Sequence, residues 1–224
     1  INRKNTKTLE PKIEKSMEPI NNESYEKNIK NVTVIGAGTM GNGISHVFAQ
    51  CGYKVSMMDV SQEALNKALA TIGKNFDRQI AKQTLTEEDK QKALSNIATF
   101  TTMPESMANA DLVIEAATEN IDLKIKIFKE IDANAPEHCI LATNTSSISI
   151  TRISSQTKRM GKVIGMHFMN PVPVMKLVEV INGYATDKST TNTILELSKS
   201  LGKVPCVVND YPGFISNRIL LPMI

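Results

Sequence analysis

Tryptophan is absent from this 224-residue chain and aromatic residues make up only 4% of it, so any core must be mainly aliphatic. Cysteine is scarce as well. The three present, Cys51, Cys139 and Cys206, form no CxxC and pair with no histidine at ligand spacing, which argues against a disulfide framework or a metal site. They read as reduced, small, buried side chains in a cytoplasmic compartment. No apolar run approaches the roughly 20 residues a helix needs to cross a bilayer, so no membrane partner is expected. Long blocks of one charge are also missing. With 26 basic and 23 acidic side chains spread along the chain, nucleic acid is not expected as a partner.

Residues 1–30 are poor in apolar side chains, with seven basic and five acidic groups. They lack the apolar stretch of a secretory signal, and one arginine against five acids does not suit a mitochondrial transit peptide. Leu9, Ile13 and Met17 share helical spacing, but Pro11 and Pro19 interrupt it. The segment reads as a disordered polar extension.

At Asn31 the pattern changes. Val32–Ile35 is a short β-branched run ending in Gly36-Ala37-Gly38-Thr39-Met40-Gly41; a helical stretch follows to Gln50, then a strand over Tyr53–Asp59. This is a βαβ unit. A long helix is expected after Ser61, and Thr86-Glu87-Glu88-Asp89 is the capped start of another. Strand-like runs recur at Ile97–Phe100, Leu112–Ala116, Cys139–Thr143, Val163–Phe168, Val174–Ile181 and Val204–Val208. Alternating strands and helices imply an α/β, Rossmann-type, doubly wound and mostly parallel sheet. Ile121, Leu123, Ile125 and Ile127 alternate like a strand, but Phe128 and Ile131 extend a helical arc, and helix is expected. Lys124 falls inside that arc and should face a cleft or snorkel to one.

The glycine pattern gains specificity from its place between strand and helix, with Asp59 closing the next strand 18 residues past Gly41. Gly36 permits the turn, Gly38 lets a diphosphate approach the backbone, and Gly41 lets helix and strand pack closely. Asp59 can accept hydrogen bonds from a ribose and would repel a 2′-phosphate, so NAD is the expected cofactor; a glycine turn with no ligand is the alternative. Asn144-Thr145-Ser146-Ser147 follows another strand, where open α/β sheets bind ligands. Glu179 is an acid in an apolar strand and needs a partner, for which His167 is available. A structural histidine and a strand-edge acid remain the alternative. His46 and His138 read as structural or solvated. Lys74, Arg78 and Lys82 recur every fourth residue, a basic face that could hold substrate phosphates or simply meet solvent.

The stretches VTVIGAGTMGNGI, DLVIEAATEN, LATNTSSISIT, GMHFMNPVPVMKLVEVI and DYPGFISNRIL resemble the 3-hydroxyacyl-CoA dehydrogenase family, and its short bacterial 3-hydroxybutyryl-CoA type most closely. The resemblance spans residues 31–224. It implies that His167 is the acid/base, Glu179 its charge partner, and Ser146 and Asn217 donors to the reacting oxygen, with Asn170 also at the site. It places Gly36, Gly38, Met40, Gly41 and Asp59 on the cofactor, and Glu119, Lys124 and Ser146 toward its nicotinamide end. Coenzyme A would lie at Asn75 and Lys82, although a family member carries serine at the first position. The resemblance further implies a NAD-binding domain over 31–211, followed at 212–224 by the first helix of an all-helical substrate and dimerisation domain that is cut short here. An acyl-CoA substrate and a homodimer of the complete enzyme follow. The rival readings are a non-catalytic, crystallin-like relative, and a β-hydroxyacid dehydrogenase acting on a free acid.

Overall fold

The computed structural model describes residues 29–223, so nearly all of the expected disordered extension lies outside the described residues. Eight strands form one sheet: β1 (Asn31–Ile35), β2 (Lys54–Met58), β3 (Ile97–Phe100), β4 (Leu112–Glu115), β5 (Ile140–Thr143), β6 (Val163–Phe168), β7 (Leu177–Asn182) and β8 (Val204–Asn209). Their order is β3-β2-β1-β4-β5-β6-β7-β8. Pairing is parallel throughout except between β6 and β7, which run antiparallel.

Helices cover both faces, as a mostly parallel sheet requires. On one face α1 (Thr39–Gln50) and α7 (Lys188–Ser200) bury Ile44, Phe48, Ile194 and Leu197 against Val32, Val34, Ile164, Met166 and Val178. On the other, α4 (Met103–Met107), α5 (Ile121–Asn134) and α6 (Ile150–Ser154) bring Met107, Phe128, Ile131 and Ile150 onto Val113, Leu141, Val163 and Ile181. The period-2 alternation of β6 thus sends Ile164, Met166 and Phe168 one way and Val163 and His167 the other. Two further helices, α2 (Gln62–Ala81) and α3 (Glu87–Leu94), flank the β2–β3 edge. Ser61 caps α2 by accepting from the Ala64 N–H, and Thr86 and Asp89 form a reciprocal capping box on α3, as the sequence indicates. The ambiguous segment is indeed helical.

Three expectations need correction. β7 starts at Leu177, not Val174: the Val174 and Met175 N–H groups turn back onto the Pro171 carbonyl, at 3.0 and 2.9 Å, so the two prolines hold a loop where a strand was expected. Only Cys139 is buried, whereas Cys51 and Cys206 are exposed, because β8 is an edge strand and Cys51 ends α1. Lys124 is almost wholly buried, for a reason given below. Residues 212–223 comprise a turn, the short α8 (Ser216–Leu220) and a 3-10 turn over Leu221–Met223. Among the described residues no helix is long and apolar enough to cross a membrane.

Candidate active site

The carboxyl ends of β1 and β2 build the first half of the site. Gly36 has φ +99°, and a Cβ there would lie 2.8 Å from the Ala116 carbonyl oxygen. A Cβ at Gly41 would fall on the Gly36 carbonyl, so α1 packs backbone to backbone on the turn. By contrast no atom of the described residues lies within 4 Å of a Cβ at Gly38, which leaves that side open. Helix α1 begins with no side-chain cap and no acid in its first turn, so its N–H groups and dipole are free for an anion. Asp59 lies beside the turn; its carboxylate accepts from the Ala37 N–H at 2.8 Å and the Ser61 N–H at 3.0 Å. A cleft of about 450 Å³ opens here, lined among others by Gly38, Asn42, Lys67, Asn75, Asn170 and Val172. An open glycine turn at an uncapped helix N-terminus, with a carboxylate at the next strand end, suits a dinucleotide.

The second half lies across the sheet. His167 and Glu179 are register partners on β6 and β7, and Glu179 Oε2 lies 2.8 Å from His167 Nδ1. Both are buried, at 7% and 1% exposure, which makes each depend on the other. Burial pushes the Glu179 carboxyl up, but the hydrogen bonds from His167 and Ser216 outweigh it and hold it below its ordinary value. An ionised Glu179 requires Nδ1 to carry the proton, and this leaves Nε2, 3.1 Å from Ser146 Oγ, as the acceptor. Glu179 Oε1 accepts from the Ile215 and Ser216 N–H groups at 3.1 and 2.8 Å. Asn217 Nδ2 donates to the Ser146 carbonyl at 2.9 Å. Glu119 ties in the opposite side, accepting from Thr145 Oγ1 at 2.7 Å and the Ser146 N–H at 3.0 Å. Ser146 is thus held through its N–H, its carbonyl and its hydroxyl.

Lys124 is 1% exposed and reaches Glu115, fully buried at the end of β4, and also donates to Thr143 Oγ1 at 3.2 Å. Glu115 further accepts from the Thr143 hydroxyl and from the Ala117 and Thr118 N–H groups. The lysine therefore faces neither a cleft nor solvent. It neutralises an acid that pins the turn leading to Glu119.

Two clusters emerge from the expected residues. His167, Glu179, Ser146, Asn217 and Glu119 are joined by hydrogen bonds, whereas Gly36, Gly38, Met40, Gly41 and Asp59 form the glycine turn and its surroundings, with Asn75 and Asn170 on the cleft wall. Lys82 stands apart, exposed at the C-terminal end of α2. Sequence reasoning passed over Lys67, which lines the cleft with Thr71 and Asn75, although their four-residue spacing was a visible signal. It also passed over Lys203, which is 8% exposed and donates to the Val172 and Met175 carbonyls at 2.5 and 2.8 Å, bracing the loop that carries Asn170. His46 and His138 take structural places, the first stacked on Phe76 and the second exposed, 3.1 Å from Asp111.

Known proteins place this geometry. The model of the 3-hydroxyacyl-CoA dehydrogenase NAD-binding domain matches residues 31–211. The 3-hydroxybutyryl-CoA dehydrogenase of Clostridioides difficile is 50% identical over 193 residues, covering 86% of this chain and 68% of that protein. The human mitochondrial hydroxyacyl-coenzyme A dehydrogenase is 44% identical, over 87% of this chain and 63% of its own. Among solved structures, (S)-3-hydroxybutyryl-CoA dehydrogenase PaaH1 from Ralstonia eutropha superposes with a TM-score of 0.85 at 51% identity, over 87% of this chain and 69% of that one. A prephenate dehydrogenase from A. aeolicus, at 15% identity and a TM-score of 0.60, shares the fold alone. The chain spans about two thirds of the bacterial relative's length. An NAD-binding turn and a buried histidine–carboxylate pair, on a chain half identical to such enzymes, put this protein in the 3-hydroxyacyl-CoA dehydrogenase family.

Proposed function

We propose that this protein interconverts short-chain 3-hydroxyacyl-CoA, 3-hydroxybutyryl-CoA foremost, and 3-oxoacyl-CoA with NAD(H). The observation that carries the reading is His167, whose Nδ1 is committed to Glu179 and whose Nε2 faces Ser146. In the oxidative direction Nε2 takes the proton of the 3-hydroxyl, and in reduction it returns it. Glu179 fixes the tautomer and stabilises the imidazolium. Ser146 Oγ and the second N–H of Asn217 Nδ2 donate to the substrate oxygen. Bound at Gly36, Gly38, Met40, Gly41 and Asp59, with Glu119 and Ser146 toward its nicotinamide, NAD supplies the hydride chemistry.

Coenzyme A is proposed to lie against Asn75 and Lys82. The exposed basic row of Lys74, Arg78 and Lys82 favours a phosphate-bearing thioester over a free acid. The proposal includes a cytoplasmic homodimer of the complete enzyme; exposed Ile219, Leu220 and Met223 give α8 and the turn after it an apolar surface suited to a helical partner. The test is NADH oxidation with acetoacetyl-CoA, set against acetoacetate, for the unmodified protein and His167→Gln. Turnover of the thioester that vanishes in the variant is expected. NADH binding without turnover would favour a non-catalytic relative, and preference for the free acid would remove coenzyme A from the proposal.

A further inference from the structure

The segment from Asp210 to Asn217 runs beside the loop that carries Ser146, in the opposite direction. At one end the Asp210 carboxylate accepts from Ser149 Oγ at 2.7 Å, from the Thr151 N–H at 2.8 Å and from the Ile150 N–H at 3.0 Å. At the other end Asn217 holds the Ser146 carbonyl. Between them Ile215 and Ser216 hold Glu179, and Phe214, buried at φ +51°, sets its ring 6.1 Å from that of His167. A buried phenylalanine in the left-handed region is a strained conformation that persists only where its surroundings impose it.

Helix α6 does not need Asp210 merely to be capped. Ser149 already accepts from the Arg152 N–H, and its own proton goes to Asp210. The additional bonds fix where α6 starts, four residues beyond Ser146. Upstream, the loop is anchored by Asn144, which accepts from the Phe168 N–H at 2.8 Å, and by Thr145 on Glu119. With its upstream anchors on β6 and Glu119, the loop has its downstream anchor in Asp210.

We propose that Asp210 is a positioning residue for the acid/base: by tying residues 149–151 to the end of β8, it holds Ser146 Oγ on His167 Nε2. One short segment then governs both hydrogen bonds of the imidazole, through Asp210 and Asn217 on the serine side and through Ile215 and Ser216 on the carboxylate side. The inference deepens the reading of His167 as acid/base and rests on it for its kinetic consequence alone.

The chain has three histidines, so ring ¹H–¹⁵N correlations can be followed residue by residue. Ser146→Ala supplies the signal of a His167 ring that has lost its hydroxyl neighbour. Asp210→Ala should reproduce that shift at His167, leave His46 and His138 unmoved, and be rescued by Asp210→Glu. Its kcat with acetoacetyl-CoA should fall on the order of ten- to a hundredfold, as misplacement of a reacting group does, with KM for NADH unchanged. Should Asp210→Ala fail to fold, Asp210→Asn carries the same test. A His167 ring that keeps its wild-type signals, or histidines that all move together, would overturn the proposal. An unmodified protein that turns over no thioester would sink the functional reading instead, while the ring signals still decide the role of Asp210.

Discussion

His167 and Glu179 face each other across the antiparallel β6–β7 pair, and the 2.8 Å contact between Nδ1 and Oε2 leaves only one ring nitrogen for a substrate. Glu179→Gln keeps the shape and removes the charge, and it can bind the wrong tautomer. Its kcat should fall by about 10²-fold or more, the scale of general acid–base contributions, with NADH affinity little changed. His167→Gln should cost at least as much, and the double variant little more than His167→Gln alone, because the pair acts as one unit. Steady-state kinetics on all three decide it; multiplicative losses would mean the carboxylate works independently of the ring.

Asp59 should set cofactor choice. The unmodified protein should bind NADH far better than NADPH, and Asp59→Ser should narrow the gap by removing the charge opposed to a 2′-phosphate. Since Asp59 also holds the Ala37 N–H, affinity for NADH itself should drop in the variant. Fluorescence titrations with both dinucleotides measure this, and equal binding by the unmodified protein would contradict it.

The glycine turn separates two kinds of damage. Gly41→Ala drives a methyl into the Gly36 carbonyl and should lower the thermal midpoint and abolish NADH binding together. Gly38→Ala meets open space, so the midpoint should hold while NADH binding weakens. Thermal melts and titrations on both variants test the distinction.

Lys124→Met strands the Glu115 charge in the core. Breaking one side of a buried pair typically costs about 3–5 kcal/mol, and urea denaturation should register a loss of that order. Adding Glu115→Gln should recover a large part of it. A Lys124→Met protein as stable as wild type would show that the pair carries no such burden.

His46 should make stability fall in mild acid. Burial, with a small push from the Lys203 charge and against the pull of the Gln50 hydrogen bond, lowers its pKa from 6.5 to about 4. Among the described residues Nδ1 has no partner, and it could not keep a proton cheaply. The folded state favours the neutral ring, so this contribution is complete above pH 6.5 and is lost as the pH falls from there toward 4. At 1.36 kcal/mol per pH unit, the full loss is roughly 3 kcal/mol. Urea midpoints between pH 7 and 4 should fall more steeply in wild type than in His46→Gln.

Local patterns explain what the sequence disclosed. The glycine turn, the strand before it and Asp59 lie within one βαβ unit, and an acid at the core-facing position of an apolar strand advertised the need for a partner. Long-range pairings were not legible. Lys124 looked like a cleft residue because its partner, Glu115, belongs to a different element and shows in sequence only as the end of a strand. Asp210 meets residues about sixty positions away, and Lys203 meets carbonyls about thirty away, so neither leaves a spacing to read. Val174–Lys176 has strand composition, and only the way its N–H groups fold back on Pro171 makes it a loop.

The one antiparallel pairing in the sheet bears on how the molecule assembles. Every parallel neighbour of β1 through β8 is reached by a long crossover, whereas β6 and β7 close over the eight residues 169–176. Loop-closure entropy rises with the length enclosed, and contacts of short sequence separation form with the least delay. The His167–Glu179 contact belongs to that local hairpin and so encloses less chain than any other strand pairing in the sheet. The serine, the asparagine and the glycine turn reach it only across longer stretches of chain.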